Sequence, residues 1–301
     1  MPDDHLRDAC GIVGVYARGE DVARAAFFGL YALQHRGQES VGIATGDGER
    51  IRIHRAMGLV GTLQEEDLER LPGYVAIGHT RYSTTGSSNL RNAQPIFSQG
   101  PSMELALAHN GNVVNALELR RELSEWGCTF SSTGDSEIIA HLISQAPGST
   151  WEERISYAMR RLWGAYSLTV MTKDALLGIR DPLGVRPLCL GRLGSGWVIA
   201  SETCALDHIG ATYLRDVEPG EAVIIDGQGL RTVVRREAES GRAPCMFEVI
   251  YFARPDSVLD GKLVYTSRMA MGAELAREHP VEVDLVIGVP DSATAAAVGY
   301  Y

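Results

Sequence analysis

Short apolar segments separated by glycine-containing turns recur through the first 240 residues and constrain the fold more than any other feature. Residues 11–16 (GIVGVY), 41–45 (VGIAT), 74–78 (YVAIG) and 105–109 (LALAH) have the length and composition of buried strands. Six more strand-like segments follow one another between 166 and 236. Because strands and helices come in blocks and do not alternate, the pattern predicts an α+β fold of stacked sheets with helices packed outside.

The helices fall between the strand blocks. Apolar residues at helical spacing predict helices at 21–35, 117–126, about 133–142 and 151–162. The sequence shows no internal repeat and no low-complexity tract, so a solenoid is not expected.

The composition changes near residue 237, which indicates a second unit. The polar segment 236–244 (REAESGRAP) reads as a linker, and we place the boundary between 242 and 243. An amphipathic helix is predicted at about 264–278, followed by an apolar strand (DLVIGV, 284–289), a short Asp/Ser loop and an Ala-rich helix. This order is the start of an α/β unit, and about 60 residues are too few to complete such a domain. We therefore expect the chain to be truncated within it.

Charge and cysteine content exclude several classes of protein. The chain has 28 Lys+Arg against 38 Asp+Glu, a net charge of −10, which argues against nucleic-acid or membrane-surface binding. No uninterrupted apolar run reaches the 18–20 residues or so of a membrane span, and residues 1–9 do not resemble a secretory signal. The five cysteines contain no CxxC pair, so we expect a reducing cytoplasm and no disulfide framework.

Cys10 is the sharpest chemical feature, because a small residue precedes it and a glycine-flanked strand follows it. If residues 1–9 were removed as a propeptide, Cys10 would supply a thiol nucleophile and, through its own α-amine, a base. Such an amine titrates at a pKa of about 7.7–8.0. The alternative is a buried, inert cysteine at the start of a strand, which is the commoner situation for this residue type.

Four further polar clusters lie at the ends of predicted elements. They are ALQHRGQES (32–40) after the first helix, GHTRYSTTGSS (78–88) and AHNGNVVN (108–115) at strand ends, and STGDSE (132–137) at a helix start. Each cluster taken alone is an ordinary turn or helix cap. Their combination with Cys10 is what carries a functional hypothesis.

In this order, CGIVG, QHRGQ, HTRYST, HNGN and GDSE resemble the class II glutamine amidotransferases, which are N-terminal-nucleophile hydrolases. QHRGQES, RDPLGVRPL (180–188), LRDVEPGE (214–221) and YFARPDS (251–257) narrow the resemblance to the amidophosphoribosyltransferase family of purine synthesis. The resemblance runs from Cys10 to the last residue. It implies a four-layer αββα sandwich, followed by the beginning of an α/β phosphoribosyltransferase domain.

The resemblance also implies roles for individual residues. Cys10 would attack the side-chain amide of glutamine, while the Asn110 side chain and the Gly111 N–H would form the oxyanion hole. The other implied substrate contacts are Arg81 to the α-carboxylate, Asp135 to the α-ammonium, and Arg36 and Thr84 nearby. A planar guanidinium with paired donors suits a carboxylate, which agrees with the role of Arg81.

For the full-length protein the resemblance implies ammonia transfer to phosphoribosyl pyrophosphate, a magnesium requirement and a homo-oligomer. Ser292 matches a magnesium contact, although it is equally suited to be a helix N-cap. Cys245 matches a ligand of a 4Fe-4S cluster, yet members without the cluster also carry a cysteine there. The residues expected to bind phosphoribosyl pyrophosphate find no match in 1–301, so the chain is expected to carry only the glutaminase half.

Two other hypotheses remain open from the sequence. One is a different class II amidotransferase or a stand-alone glutaminase, against which the segments YFARPDS and VIGVPDS argue. The other is a non-catalytic glutamine-binding module, against which the complete set of site residues argues.

Overall fold

A computed structural model describes residues 10–82, 89–101, 103–236 and 241–301. Thr84, predicted to contact substrate, and the predicted propeptide, residues 1–9, lie outside the described residues. No helix within the described part of the chain is long and apolar enough to cross a lipid bilayer.

Seven antiparallel strands form the first sheet, and the strand that follows Cys10 lies at its centre. Its spatial order is β11 (Thr212–Asp216), β9 (Cys189–Leu193), β10 (Gly196–Ala200), β1 (Gly11–Tyr16), β4 (Val75–Arg81), β2 (Ser40–Gly46) and β3 (Ile51–Met57). In the register of β1 with β4, Gly11 lies opposite Thr80. The end of β4 at Arg81 is therefore brought next to Cys10.

Six antiparallel strands form the second sheet, of which β6 is the longest. Its spatial order is β13 (Gly229–Arg235), β12 (Glu221–Asp226), β8 (Leu176–Arg180), β7 (Gly164–Met171), β6 (Glu104–Val113) and β5 (Ile96–Gln99). Alternation along β6 sends Ala106 and Ala108 toward the first sheet, and Leu105 and Leu107 toward the helices on the other side.

The helices cover the outer faces of both sheets. Helices α1 (Val22–Ala32) and α6 (Thr203–His208) pack on the first sheet, and α3 (Ala116–Glu125), α4 (Asp135–Gln145) and α5 (Trp151–Arg161) on the second. A short helix α2 (Glu65–Glu69) lies beside α1. Apolar side chains fill three layers: between the sheets, and under each set of helices. The molecule is thus an α+β sandwich of four layers, αββα, as predicted.

The predicted helices form with boundaries shifted by a few residues. Helix α1 ends at Ala32, and a separate 3₁₀ turn at Gln34–Arg36 carries the chain to Gly37. Helix α4 begins at Asp135, and Thr150 caps α5 by accepting from the Glu153 N–H. The Thr150 cap satisfies an N–H group that α5 itself leaves unpaired.

The segment after the linker contains less regular structure than predicted. It consists of a π-helical turn (Glu248–Phe252), the hairpin strands β14 (Val258–Leu259) and β15 (Lys262–Leu263), and helices α7 (Val264–Glu278) and α8 (Ala293–Tyr300). The prediction of a strand at 284–289 is wrong. This segment is not a strand, and among the described residues no strand pairs with it. Apolar composition favours a strand, but only hydrogen bonds to a neighbouring strand make one.

Candidate active site

Cys10 lies where the two sheets meet, and it is joined to the second sheet by a hydrogen bond. The Cys10 N–H donates to Asn110 Oδ1 at 3.2 Å, and the thiol donates to the Tyr82 carbonyl at 3.6 Å. Asn110 stands on the same face of β6 as Ala106 and Ala108, which is the face toward the first sheet. Strand alternation thus directs the Asn110 side chain to Cys10.

A cavity opens beside the Cys10 side chain. Its walls include four of the predicted site residues, namely Cys10, Arg81, Gly111 and Asp135. They come from the start of β1, the end of β4, the end of β6 and the start of α4, elements that are far apart in sequence. The cavity is lined mainly by polar atoms, which fits a polar substrate.

Burial sets the protonation state of the nucleophile. Loss of water raises the pKa of the Cys10 thiol to about 11, although the Tyr82 carbonyl and the Arg81 and Arg36 guanidinium groups act in the opposite direction. The thiol is therefore protonated at neutral pH. Attack by its sulfur needs a base that accepts the proton.

Asn110 carries a donor group with no protein partner. Its Nδ2 is buried and, among the described residues, makes no hydrogen bond, while its Oδ1 binds the Cys10 N–H. A buried unpaired donor is costly, and such a group beside a nucleophile suggests a ligand acceptor. This is the arrangement expected of an oxyanion-hole donor.

Asp135 is fixed beside the cavity as the first residue of α4. Its Oδ2 accepts from the Val113 N–H at 2.9 Å, and its Oδ1 lies 3.7 Å from His109 Nδ1. Burial opposes ionisation, but His109 and the Val113 N–H outweigh it and hold the pKa of Asp135 below its ordinary value. A carboxylate is therefore present at neutral pH to receive a cationic group.

Arg36 does not line the cavity, so its predicted place among the substrate contacts is corrected. Its fully buried guanidinium donates to the Cys10 carbonyl at 3.0 Å and to both oxygens of Glu248 at 2.8 and 2.7 Å. It also pairs with Glu202. With these partners Arg36 supports the backbone of the nucleophile from behind.

Three residues of the cavity were missed by the sequence analysis, namely Asn92, Gln94 and Ile96. The remaining lining residues, Tyr82, His109, Ser132, Gly134 and Ser136, lie within the predicted clusters, although no individual role was predicted for them. His109 adjoins Asn110 on β6 and points to the opposite face, where Nδ1 lies 3.3 Å from Ser136 Oγ. Asn92 lies at the end of a short 3₁₀ turn, whose sequence gave no signal of a functional site.

The predicted metal ligands are not assembled into a site. Among the described residues no group of three or more His, Cys, Asp or Glu side chains is placed to hold a metal ion. A 4Fe-4S cluster at Cys245 would need three further ligands. Ser292 directly precedes α8, in the N-cap position, but its side chain makes no capping hydrogen bond there.

Comparison with known proteins finds similar chains. A glutamine amidotransferase domain family matches residues 79–208. The amidophosphoribosyltransferase of Synechococcus elongatus is 51% identical to this chain over 99% of its length. That of Methanothermobacter thermautotrophicus is 48% identical over 100% of its length. The matched regions cover 62% and 64% of those proteins, so the chain spans about three fifths of their length.

Comparison with solved structures finds the same kind of relative. The glutamine phosphoribosylpyrophosphate amidotransferase of B. subtilis, complexed with ADP and GMP, superposes with a TM-score of 0.89 at 42% identity. This similarity covers 97% of the chain and 63% of the B. subtilis protein. Fold and site together define a class II glutamine amidotransferase domain of the N-terminal-nucleophile hydrolase type. More narrowly, the chain is similar over nearly its whole length to amidophosphoribosyltransferases.

Proposed function

We propose that this chain hydrolyses the side-chain amide of L-glutamine at Cys10, as the glutaminase part of an amidophosphoribosyltransferase. The observation that carries the proposal is the position of Cys10, bonded through its N–H to Asn110 and facing a cavity that Arg81 and Asp135 also line. A nucleophile, an unpaired donor, a cation and an anion are the groups needed to hold and cleave an amino-acid amide.

In the first step, the Cys10 sulfur attacks the amide carbon and the thiol proton passes to the Cys10 α-amine. The amine becomes available once the same thiol attacks the preceding carbonyl, the C–N bond breaks to give a thioester, and water hydrolyses the thioester to release residues 1–9 and restore the thiol. Asn110 Oδ1, which accepts from the Cys10 nitrogen at 3.2 Å, would then orient the amine. One residue thus supplies the nucleophile and the base.

In the following steps, the C–N bond breaks and ammonia leaves with the proton from the α-amine. Asn110 Nδ2 and the Gly111 N–H stabilise the negative oxygen of the tetrahedral intermediate, each donor by about 3–4 kcal/mol. Water then hydrolyses the γ-glutamyl thioester, which releases glutamate and restores the thiol.

Substrate orientation is assigned to the two charged walls. Arg81 binds the α-carboxylate and Asp135 the α-ammonium, which leaves the side-chain amide of glutamine directed to Cys10. Thr84, beyond the described residues, is retained as a further substrate contact.

The full-length protein would pass the ammonia to phosphoribosyl pyrophosphate, giving 5-phosphoribosylamine and pyrophosphate in the first committed step of purine synthesis. We assign residues 10–242 to the glutaminase domain and 243–301 to the start of the phosphoribosyltransferase domain. Magnesium at Ser292, a 4Fe-4S cluster at Cys245, a homo-oligomer and a cytoplasmic location are the remaining parts of this proposal. None of them takes part in the glutaminase steps.

The test is glutamine-dependent ammonia release by Cys10→Ser, together with the intact mass of both proteins. We expect a loss of at least about 1,000-fold in the rate, because a hydroxyl is a far weaker nucleophile than a thiol at neutral pH. The active unmodified protein is expected to lack residues 1–9. Undiminished activity in Cys10→Ser would exclude the mechanism, and full activity with Met1 still present would exclude the α-amine as its base.

A further inference from the structure

One wall of the cavity is a turn that leads into helix α4. Ser132, Gly134, Asp135 and Ser136 all line the cavity. The residue at the N-cap position is Gly134, which has no side chain to cap the helix. The position of this wall, and of Asp135 with it, must therefore be fixed by other groups.

Glu137, in the first turn of α4, binds this turn from inside the protein. Its Oε1 accepts from the Ser131 N–H and hydroxyl, both at 2.8 Å, and its Oε2 accepts from the Ser132 N–H and hydroxyl, both at 2.7 Å. The residue is 4% exposed. A carboxylate offers about four acceptor positions, so these four donors use them all.

Ionisation of Glu137 is maintained by the same contacts. Burial opposes it, but the bonds from Ser131 and Ser132 outweigh burial and lower the pKa of the carboxyl. Bonds to a charged acceptor are stronger than those to a neutral one. The turn is thus held more firmly than a neutral amide at this position would hold it.

Asn92 binds the same turn from the opposite side. Its Nδ2 donates to Thr133 Oγ1 at 3.1 Å, and its Oδ1 accepts from the Thr133 N–H at 3.0 Å. Asn92 is buried and itself lines the cavity. Residues 131, 132 and 133 are therefore each anchored, two by Glu137 and one by Asn92.

We propose that Glu137 and Asn92 are positioning residues that fix the turn 131–134 and thereby set the affinity of the cavity for the α-amino group of its substrate. The inference rests on the proposed function, and it adds two residues that act through Asp135 without reaching the reacting amide. The α-ammonium keeps the same charge in the substrate and in the transition state. Loss of its anchorage should therefore raise KM and leave kcat nearly unchanged.

The experiment compares Glu137→Gln with Glu153→Gln in glutamine-dependent ammonia release. Glu153 is the matched control, because it binds the Ser149 and Thr150 N–H groups at the start of α5 in the same manner and does not line the cavity. For Glu137→Gln we expect KM for glutamine to rise at least about tenfold, with kcat within about threefold. For Glu153→Gln both parameters should stay within about twofold of the unmodified protein.

A labelling experiment separates this inference from the proposed function. A glutamine-like diazo-ketone should inactivate Glu137→Gln and Asn92→Ala more slowly than the unmodified protein, while iodoacetamide, which has no α-amino group, should alkylate Cys10 at the same rate in all three. Equal inactivation by the diazo-ketone, or a fall in kcat without a change in KM, would overturn the positioning role. If the diazo-ketone fails to label Cys10 of the unmodified protein, the proposed function fails, and this inference fails with it.

Discussion

Gly111 shows how strongly a single position in the site is constrained. Its φ of 146° lies in a region that side chains rarely adopt, and a Cβ there would lie 2.1 Å from the Ala165 carbonyl oxygen. Only glycine lets β6 continue past Ala165 and present residues 110 and 111 to the nucleophile. The backbone requirement and the proposed oxyanion hole therefore coincide.

Gly111→Ala should lower the free energy of unfolding by about 3 kcal/mol, from backbone strain and from the collision with Ala165. Gly127→Ala is the matched control. Gly127 also has a positive φ, 88°, but a Cβ there meets nothing within 4 Å. It should lose only about 1 kcal/mol. Urea unfolding measures both values, and equal losses would show that the contact with Ala165 is relieved at little cost.

At the scale of elements, the 3₁₀ turn Gln34–Arg36 is joined to the segment after the linker by two buried carboxylates. Glu202 accepts from His35 at 2.8 Å, the Arg254 N–H at 2.9 Å and the Ser257 hydroxyl at 2.6 Å, and it also pairs with Arg36. Glu248 adds its two bonds to Arg36 from the π-helical turn. Residues 248–257 are thus packed against the back of the nucleophile and do not form a loose extension.

This arrangement predicts acid sensitivity. Burial opposes ionisation of Glu202, but Arg36 and His35 outweigh it and hold the pKa of this carboxyl well below its ordinary value of 4.5. Because the unfolded chain takes up the proton first, the stabilisation is complete above about pH 5 and is lost as the pH falls toward the folded-state pKa.

Glu202→Gln should cost about 3 kcal/mol at pH 7 and should flatten the fall in stability below about pH 5. Urea unfolding at several pH values measures both effects. Glu65→Gln is the control, because its ion pair with Arg24 is exposed and should contribute less than about 1 kcal/mol. A pH profile of Glu202→Gln that parallels the unmodified protein would contradict the prediction.

At the scale of the molecule, three apolar layers hold the sandwich together, and the segment 281–289 lies outside all of them. Ile77, in the layer between the sheets, is fully buried, whereas Ile287 is 78% exposed. The two isoleucines therefore allow one substitution to be compared in two environments.

Ile77→Ala should lower the free energy of unfolding by about 2–5 kcal/mol, through lost burial and the cavity it leaves. Ile287→Ala should change it by less than about 0.5 kcal/mol, because its side chain already meets water. Chemical denaturation of the two variants provides the test. A large loss in Ile287→Ala would show that 281–289 is packed in solution.

Local pattern sufficed for most elements. Strands such as 11–16 and helices such as 151–162 form where periodicity predicts them, because each buries one face or lies wholly inside. The same reasoning failed at 284–289, where apolar composition is present and a pairing strand among the described residues is not. A strand depends on a second segment, and the local sequence does not specify that segment.

The candidate site, like the fold, was predicted only in part from the sequence. The resemblance of their motifs to a known family singled out Cys10, Arg81, Asn110, Gly111 and Asp135 without coordinates, and the chemistry of each residue type is compatible with the role that the resemblance implies. The tertiary structure alone decided that Asn110 reaches Cys10 across two sheets, and that Arg36 binds Glu248 and not the cavity. The tertiary structure also placed Glu137 and Asn92 where they anchor the cavity wall. Some of these contacts join segments that lie 26 to 212 residues apart in the sequence, and others connect residues within one turn. Both kinds depend on side-chain geometry that exists only in the folded chain.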